Sequence, residues 1–297
     1  WFNAWSQNSE ASREETIQNT YYWAWRNQMN FKYKPTKRQS INLMLGHEMT
    51  ERESNRLYGK RLNGNDRLPD LSAGDALTAE NSGYTGRSAF LSFFGRLNYS
   101  LRDRYLLTAT LRYDGSSNFG DGHRWGCFPS VSAAWRINKE KFLKDADWIS
   151  NLKLRAGYGL SGNQDAIDSY NSLQLVKPNG VVSVGGSPTV TMGVIRNANP
   201  DLKWEVKRTV NAGIDVGFFR NRLLMTVDYY HSKTSDMLYL YDVSVPPFAY
   251  NKLLANLGSM RNSGVELGFG VTPLQTKDME LSINVNVTFQ QNKLLSL

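Results

Sequence analysis

The sequence of 297 residues contains one cysteine, Cys127, and no long uninterrupted run of apolar residues. One cysteine allows neither an intrachain disulfide nor a cysteine zinc cluster. No segment approaches the roughly 18 apolar residues of a membrane-spanning helix. The sequence therefore excludes a helical membrane protein. It does not exclude a membrane β-barrel, whose hydrophobic residues are dispersed by alternation.

Candidate catalytic and metal-binding residues are also scarce. The three histidines, His47, His123 and His231, have no spacing that suits a metal, and there is no Gly-x-Ser-x-Gly elbow or nucleophile–base pair. Asp165 and Asp168 are interpreted as solvated loop charges. The net charge of +8 is spread along the chain rather than clustered, which argues against nucleic-acid binding. We predict no catalytic residue, no cofactor-binding residue and no metal site.

Period-two alternation of apolar and polar residues is abundant. In residues 105–113 every second side chain is apolar, from Tyr105 to Tyr113. Such a pattern predicts a β-strand with two chemically different faces. Ordinary strands average five or six residues, whereas a tilted strand needs about ten to cross a bilayer. We predict ten strands, centred on residues 21–33, 41–45, 91–101, 105–113, 131–137, 152–158, 209–218, 223–230, 265–271 and 281–290.

The connections between these strands alternate between short and long. Long ones are expected at residues 51–87, 115–127, 161–204 and 239–260, and shorter ones between them. Barrels of the bacterial outer membrane have short periplasmic turns and long extracellular loops in this alternation. We predict an all-β, antiparallel, up-and-down transmembrane β-barrel. A soluble all-β fold and a repeat β architecture remain as alternatives.

The polar faces of the predicted strands carry charges. Many small and polar side chains suit a wide barrel that is filled with water or plugged. Two roles are open for Arg96 and Arg112, holding a plug through its acidic groups or setting the charge of the pore. The residues predicted to face the lumen are Arg96, Arg112, Arg136, Arg155 and Glu266.

Six stretches resemble one family in order and spacing, the SusC/RagA-type TonB-linked outer-membrane transporters. They begin with FGRLNYSLRDRYLLTATLRYDGSSNFG at residues 94–120 and cover about residues 90–297. The other five are residues 128–137, 152–164, 199–238, 256–269 and 289–297.

The resemblance implies a nutrient importer in the outer membrane of a Gram-negative bacterium, not an enzyme, with no cofactor. Such proteins have a 22-stranded barrel around a plug domain. They import oligosaccharides or peptides, with a SusD-like surface lipoprotein as a lid. TonB–ExbB–ExbD supplies the energy, and lipid surrounds the barrel. Residues 1–297 are then expected to be part of a single barrel domain, without the plug domain and the C-terminal strands. A passive porin, a barrel enzyme and a soluble carbohydrate-binding β-sandwich remain as alternatives.

Aromatic residues in the predicted long loops are candidates for contact with substrate or partner, because sugar rings pack on aromatic rings. We select Tyr170, Phe248 and Tyr250. Residues 245–248 are expected at a loop tip, because proline lacks the donor that a central strand needs. Membrane anchoring or packing against the lid is the alternative role. The loop aromatics are Tyr58, Tyr84, Tyr170, Trp204, Tyr239, Tyr241, Phe248 and Tyr250.

The run at residues 114–122, DGSSNFGDG, has alternating oxygen ligands and glycines. An EF-hand would place its glycine and its terminal glutamate elsewhere. Asp, Asn, Ser and Gly are also the residues that support turns through local hydrogen bonds. We interpret this run as a loop turn.

Overall fold

The computed structural model describes residues 12–63, 70–165 and 167–297. Within these ranges no helix is long and apolar enough to cross a membrane. Four short 3-10 helices occur, at Leu71–Ala73, Ala76–Thr78, Ile137–Lys139 and Lys141–Leu143. The described strands are β1 (Ser12–Thr36), β2 (Gln39–Leu62), β3 (Glu80–Leu101), β4 (Tyr105–Ser116), β5 (Trp125–Arg136), β6 (Ile149–Asn163), β7 (Leu175–Val184), β8 (Ser187–Arg196), β9 (Glu205–Phe218), β10 (Leu223–Ser235), β11 (Leu238–Asp242), β12 (Lys252–Asn256), β13 (Ser259–Gln275) and β14 (Glu280–Ser296).

Ten of these strands form one sheet, in the order β1-β2-β3-β4-β5-β6-β9-β10-β13-β14. They correspond to the ten predicted strands. From β3 to β14 every described pairing of neighbours is antiparallel. The remaining four form two separate hairpins, β7–β8 and β11–β12, inserted into long connections. The up-and-down order is confirmed, and the sheet runs from β1 to β14 without closing on itself in the described residues.

Several strands extend further than the apolar pattern predicts. The long connection expected at 51–87 is wrong in its bounds, because β2 continues to Leu62 and β3 begins at Glu80. Charged pairs join these extensions: Lys60 Nζ lies 3.4 Å from Glu14 Oε1, and Arg87 contacts Glu51. Both faces of the extensions are polar, so hydrophobic alternation could not reveal them.

The chain divides into two compact units, and all ten strands of the sheet pass through the second. The first unit comprises residues 1–24 and 50–89. Its described part holds the extended ends of β1, β2 and β3, and Arg61 donates to the carbonyls of Ser72 and Gly74 at 3.3 and 3.4 Å. The second unit comprises residues 25–49 and 90–297, and it holds the site described below.

Strand register gives the sheet one apolar and one polar face. An entirely apolar row crosses seven strands, and the next row along the strands is largely polar. A slip of one residue would exchange the two faces. Side chains of the apolar face remain exposed; Tyr105 is 45% and Leu154 is 41% exposed. A soluble sandwich would bury this face. The apolar row is Tyr105, Trp135, Leu154, Ile214, Val227, Leu267 and Val287.

Aromatic rings border the apolar face at two levels. At the level of the long connections, Tyr113 stacks on Trp125 with ring centroids 4.7 Å apart. At the level of the short connections, Tyr105 stacks on Trp135 at 6.4 Å. Trp125 and Trp135 lie on the same strand, and about ten residues of a strand tilted by about 40° span about 25 Å of height. That is the height of the apolar band of an outer-membrane barrel.

Glu140 anchors the second of these aromatic levels. Its carboxylate accepts hydrogen bonds from the Tyr105 hydroxyl at 2.8 Å, from Trp135 Nε1 at 3.1 Å and from Arg104 Nη1 at 2.9 Å. The hydroxyl of Tyr105, followed by the indole of Trp135, holds the pKa of Glu140 below its usual value of 4.5. The β5–β6 connection is thereby attached to the aromatic rings.

We expect Glu140→Gln to lower the melting temperature at neutral pH but not in acid. A carboxyl group whose pKa is lower in the folded state stabilises the fold at pH values above its pKa in the unfolded state. This stabilisation is lost as the pH falls through the pKa in the folded state. The difference between wild type and variant should therefore begin to shrink below pH 4.5 and disappear once the pH lies below the lowered pKa of Glu140 in the folded state. Tryptophan fluorescence during heating in detergent micelles measures it. Asp145→Asn in the same connection is the control; an equal loss with this control would contradict the prediction.

Candidate functional site

The polar face carries a cluster of charges on three adjacent strands. Arg155 of β6 donates from Nε and Nη2 to the carboxylate of Asp215 on β9, at 2.9 and 2.7 Å. Its Nη2 also lies 2.9 Å from Asp228 Oδ2 on β10. Lys153 Nζ approaches Asp215 at 3.7 Å. These contacts cross-link β6, β9 and β10 through their side chains.

Gly213 makes the contact between Arg155 and Asp228 possible. Strand pairing places Arg155, Gly213 and Asp228 side by side on β6, β9 and β10. A Cβ atom at position 213 would lie 2.1 Å from Asp228 Oδ1 and 3.0 Å from Arg155 Nη2. The absence of a side chain on the middle strand therefore lets the guanidinium reach across it.

The side chain of Arg112 contacts residues of its own strand, β4, and of the neighbouring strand, β3. Its Nη2 lies 3.0 Å from Ser92 Oγ and 3.2 Å from Asp114 Oδ1, and its guanidinium carbon lies 5.5 Å from the centre of the Phe94 ring. Ser92 and Asp114 are buried and hydrogen-bonded to each other. Arg112 therefore closes a local network rather than presenting a free charge.

Three other residues that the sequence predicts to face the lumen make no described salt bridge. Arg96 is exposed opposite Thr110, and Glu266 is exposed opposite Asp228. Arg136 lies at the end of β5 opposite Lys153. All three belong by register to the polar face. That this face lines a lumen stays a prediction.

The long connections enclose a small hydrophobic core. Leu202 is fully buried and Phe119 is 1% exposed. Trp204 is buried between Phe119 and Phe128, with ring centroids 4.8 and 5.4 Å away, and its Nε1 donates to the carbonyl of Arg124 at 3.1 Å. Trp204 lies in a long connection as predicted, directly before β9, and its indole packs inside this core rather than on the loop surface. The loop core consists of Phe119, Phe128, Ile167, Leu202, Trp204 and Leu238.

The run at 114–122 is part of this loop core as well as a turn. The backbone of Asn118 donates to Ser116 Oγ at 3.2 Å, as local turn chemistry predicts. The side chain of Asn118 also donates to the distant carbonyl of Ile167 at 3.1 Å. A Cβ atom at Gly120 would lie 2.0 Å from the carbonyl oxygen of Pro200. Two long connections therefore touch through their backbones at Gly120.

Asparagine side chains join the β8–β9 segment to β12 in place of a ladder of backbone bonds. Asn197 donates to the carbonyls of Tyr250 and Lys252 at 2.6 and 2.9 Å, and Asn199 donates to Leu254 O at 2.8 Å. Asn256 returns the contact, donating to Lys203 O at 2.7 Å. Sequence patterns did not single out these residues, although Asn199 and Asn256 lie in two of the six stretches that resemble the family.

The predicted loop aromatics differ in their placement. Tyr170 lies in the β6–β7 connection and is 39% exposed. Tyr250 is 37% exposed in the β11–β12 loop, where its backbone N–H donates to Asn197 Oδ1 at 3.1 Å. Phe248 is half-buried in that loop, which contains residues 245–248 as predicted. Tyr58 and Tyr84, expected in loops, lie in β2 and β3.

No group of three or more His, Cys, Asp or Glu residues in the described part of the chain could hold a metal ion. The combination that is present is an exposed apolar face bordered by aromatic rings, a charged opposite face, and connections that alternate in length. Together these define the wall of a membrane β-barrel.

The family model described as "TonB dependent receptor-like, beta-barrel" matches residues 2–294. The chain belongs to this family, and its localisation in the outer membrane of a Gram-negative bacterium is thereby confirmed.

Similar proteins confirm the predicted resemblance to transporters of the SusC/RagA type. The chain is 38% identical over 225 residues to TonB-dependent receptor SusC of Bacteroides thetaiotaomicron, covering 75% of this chain and 22% of that protein. It is 37% identical over 227 residues to a TonB-dependent receptor of Formosa agariphila, covering 74% of this chain and 22% of the relative. The chain thus spans about a fifth of the length of these curated relatives.

Solved structures agree with this assignment. The structure of the RagAB peptide transporter matches with a TM-score of 0.85 and 29% identity, covering 96% of this chain and 31% of that one. The outer-membrane transporter YddB from Escherichia coli matches with a TM-score of 0.62 at 13% identity, covering 94% of this chain and 34% of that one, which shows the fold alone. The matched proteins carry the names of receptors and transporters.

Proposed function

We propose that this chain forms part of the wall of a nutrient importer of the SusC type, which is not an enzyme and has no cofactor. The importer moves oligosaccharides or peptides into the periplasm with energy delivered by TonB and ExbB–ExbD. The observation that carries the proposal is the 38% identity to SusC over 225 residues. The 0.85 TM-score to the RagAB peptide transporter supports the same conclusion.

In this proposal residues 1–297 belong to a single barrel domain, and the plug domain and further strands lie outside them. The match covers 31% of the RagAB chain, which supports a larger barrel. The polar face, with Arg96, Arg112, Arg136, Arg155 and Glu266, then lines the lumen. The short connections face the periplasm and the long connections face outward, as in other outer-membrane barrels.

A SusD-like lipoprotein is the proposed lid over the long connections. One exposed apolar element among them is the β7–β8 hairpin, in which Val181 and Val190 face each other and are 64% and 57% exposed. Apolar surface of this kind, rimmed by polar loops, is typical of an interaction site.

Uptake in the host cell tests the energy coupling. We expect deletion of the receptor gene to abolish growth on one class of oligosaccharide or peptide, and deletion of the TonB gene to have the same effect. A passive porin would continue to work without TonB, because diffusion needs no energy. Growth that depends on the receptor but not on TonB would therefore contradict the importer and favour the porin.

We propose that Tyr170, Phe248 and Tyr250 contact the substrate or the lid. In the same uptake assay, Tyr170→Ala/Tyr250→Ala should reduce uptake at limiting substrate by roughly thirtyfold, because each of the two aromatic contacts contributes about 1 kcal/mol. Phe219→Ala at the opposite end of the strands, 59% exposed, is the matched control. Equal uptake by the double tyrosine variant and by the Phe219→Ala control would show that these tyrosines do not contribute to binding of the substrate or the lid.

A further inference from the structure

A pocket rich in cations opens between three of the short connections. Its volume is about 660 Å³, and its lining is polar. The backbone N–H of Arg102 donates to the carbonyl of Arg38 at 2.5 Å, which joins the β1–β2 and β3–β4 turns. Asp103 is the one carboxylate of the lining. The cations of this basic pocket are Lys34, Lys37, Arg38, Arg102, Arg104 and Lys141.

Most of these cations have no counterion in the described residues. Arg104 is paired with Glu140 at 2.9 Å, and Asp103 lies 3.9 Å from Lys139 outside the pocket lining. The other five cations of the basic pocket form no described salt bridge. Like charges gathered around one cavity attract an anion.

A groove of about 830 Å³ runs along the apolar face next to the basic pocket. Its floor is a row of three alanines, Ala133, Ala156 and Ala212, in register across β5, β6 and β9. The same row continues to Leu107 on one side and to Tyr229 on the other. Because alanine side chains are short, the surface is lower here than on either side.

Both the basic pocket and the alanine-floored groove are lined by residues in or beside the β3–β4 turn. Tyr99, Leu101 and Tyr105 line the groove, whereas Arg102 and Arg104 line the basic pocket. The stacked rings of Tyr105 and Trp135 lie beside this turn. Interfacial aromatic rings mark the level of lipid headgroups.

We propose that this combination is a binding site for one anionic phospholipid. The phosphate lies among the cations of the basic pocket, and an acyl chain lies along the alanine-floored groove. Charge complementarity selects the anionic headgroup, and the adjoining apolar groove selects a lipid over a soluble anion or an acidic protein segment.

The test uses the complete receptor in nanodiscs of phosphatidylethanolamine with and without added phosphatidylglycerol. Native mass spectrometry measures how much phosphatidylglycerol remains bound. We expect Lys34→Gln/Lys37→Gln/Lys141→Gln to reduce the bound fraction by about tenfold, because each cation near an anionic surface strengthens binding severalfold and salt screens part of this effect. The matched control, Arg220→Asn/Arg222→Gln/Lys277→Gln, removes three charges from other short connections and should retain the lipid.

A second variant tests the groove without changing any charge. Ala156→Phe fills the floor and should also reduce the bound phosphatidylglycerol, while inorganic phosphate added to wild type should not displace the lipid. Equal retention by the wild type and the lysine variant would overturn the proposal. Displacement of phosphatidylglycerol by inorganic phosphate would also overturn it, as would binding of phosphatidylglycerol that is no stronger than binding of phosphatidylethanolamine. The measurement needs no import, so its failure is distinguishable from a failure of the proposed function.

Discussion

Replacement of Gly120 by alanine is expected to open the loop core. The added Cβ would lie 2.0 Å from the carbonyl oxygen of Pro200, which is backbone and cannot rotate away as a side chain would. Forcing extra volume into a packed site costs typically 1–3 kcal/mol, and we expect about 3 kcal/mol here because two backbones must separate. Phe119 and Leu202, which flank this contact in sequence, would lose their packing.

Limited proteolysis of the complete receptor measures this effect. Cleavage in the long connections reports the population of the opened loops, so a change of about 3 kcal/mol should increase the cleavage rate by about a hundredfold. Gly122→Asn is the matched control, since a Cβ at Gly122 meets nothing within 4 Å and asparagine tolerates its positive φ. Cleavage of Gly120→Ala at the wild-type rate would show that the two backbones are not in contact.

Gly120 illustrates the limit of local sequence reasoning. Its neighbours Ser116 and Asn118 identify a loop turn correctly, because turn chemistry depends on residues close in the chain. The reason that position 120 must be glycine is Pro200, eighty residues further on. A contact between two loops leaves no periodic pattern, so it could not be predicted. The same holds for the burial of Trp204, whose ring partners Phe119 and Phe128 lie far from it in the sequence.

The strands were predictable because a sheet between lipid and water repeats its environment every two residues. Residues 105–113 follow this alternation throughout and lie in β4 as expected. The predicted strands are too short where both faces of a strand carry polar side chains, as at Glu51 and Lys60 on β2. It missed the β7–β8 and β11–β12 hairpins, whose strands follow no two-faced pattern against a sheet.

The polar face was predicted as a set of residues but not as an arrangement. Alternation alone placed Arg155 on that face. β6 pairs with β9 across the long connection of residues 164–204, so their register does not follow from residues close in the chain. The role of Gly213 depends on that register. Charge pairing across three strands therefore becomes visible only once the strands are aligned.

Replacement of Arg155 by methionine is expected to destabilise the sheet by about 2 kcal/mol. The change leaves Asp215 and Asp228 without their shared guanidinium; Lys153, 3.7 Å from Asp215, is the one other cation paired with them among the described residues. Losing one partner of a fully buried pair costs about 3–5 kcal/mol, and an exposed pair contributes about 0–1 kcal/mol. The Arg155 side chain is 31% exposed and that of Asp215 20%, which places this cluster between the two limits.

A compensating variant distinguishes lost charge pairing from lost packing. Arg155→Met/Asp215→Asn/Asp228→Asn removes the repulsion as well as the cation, so its free energy of unfolding in denaturant should recover to within about 1 kcal/mol of wild type. Arg96→Met, on the same face without a described ion pair, should change it by less than about 0.5 kcal/mol. If the triple variant is as unstable as Arg155→Met alone, the arginine acts through its packing across Gly213. If it recovers, the three strands are held together here by charge.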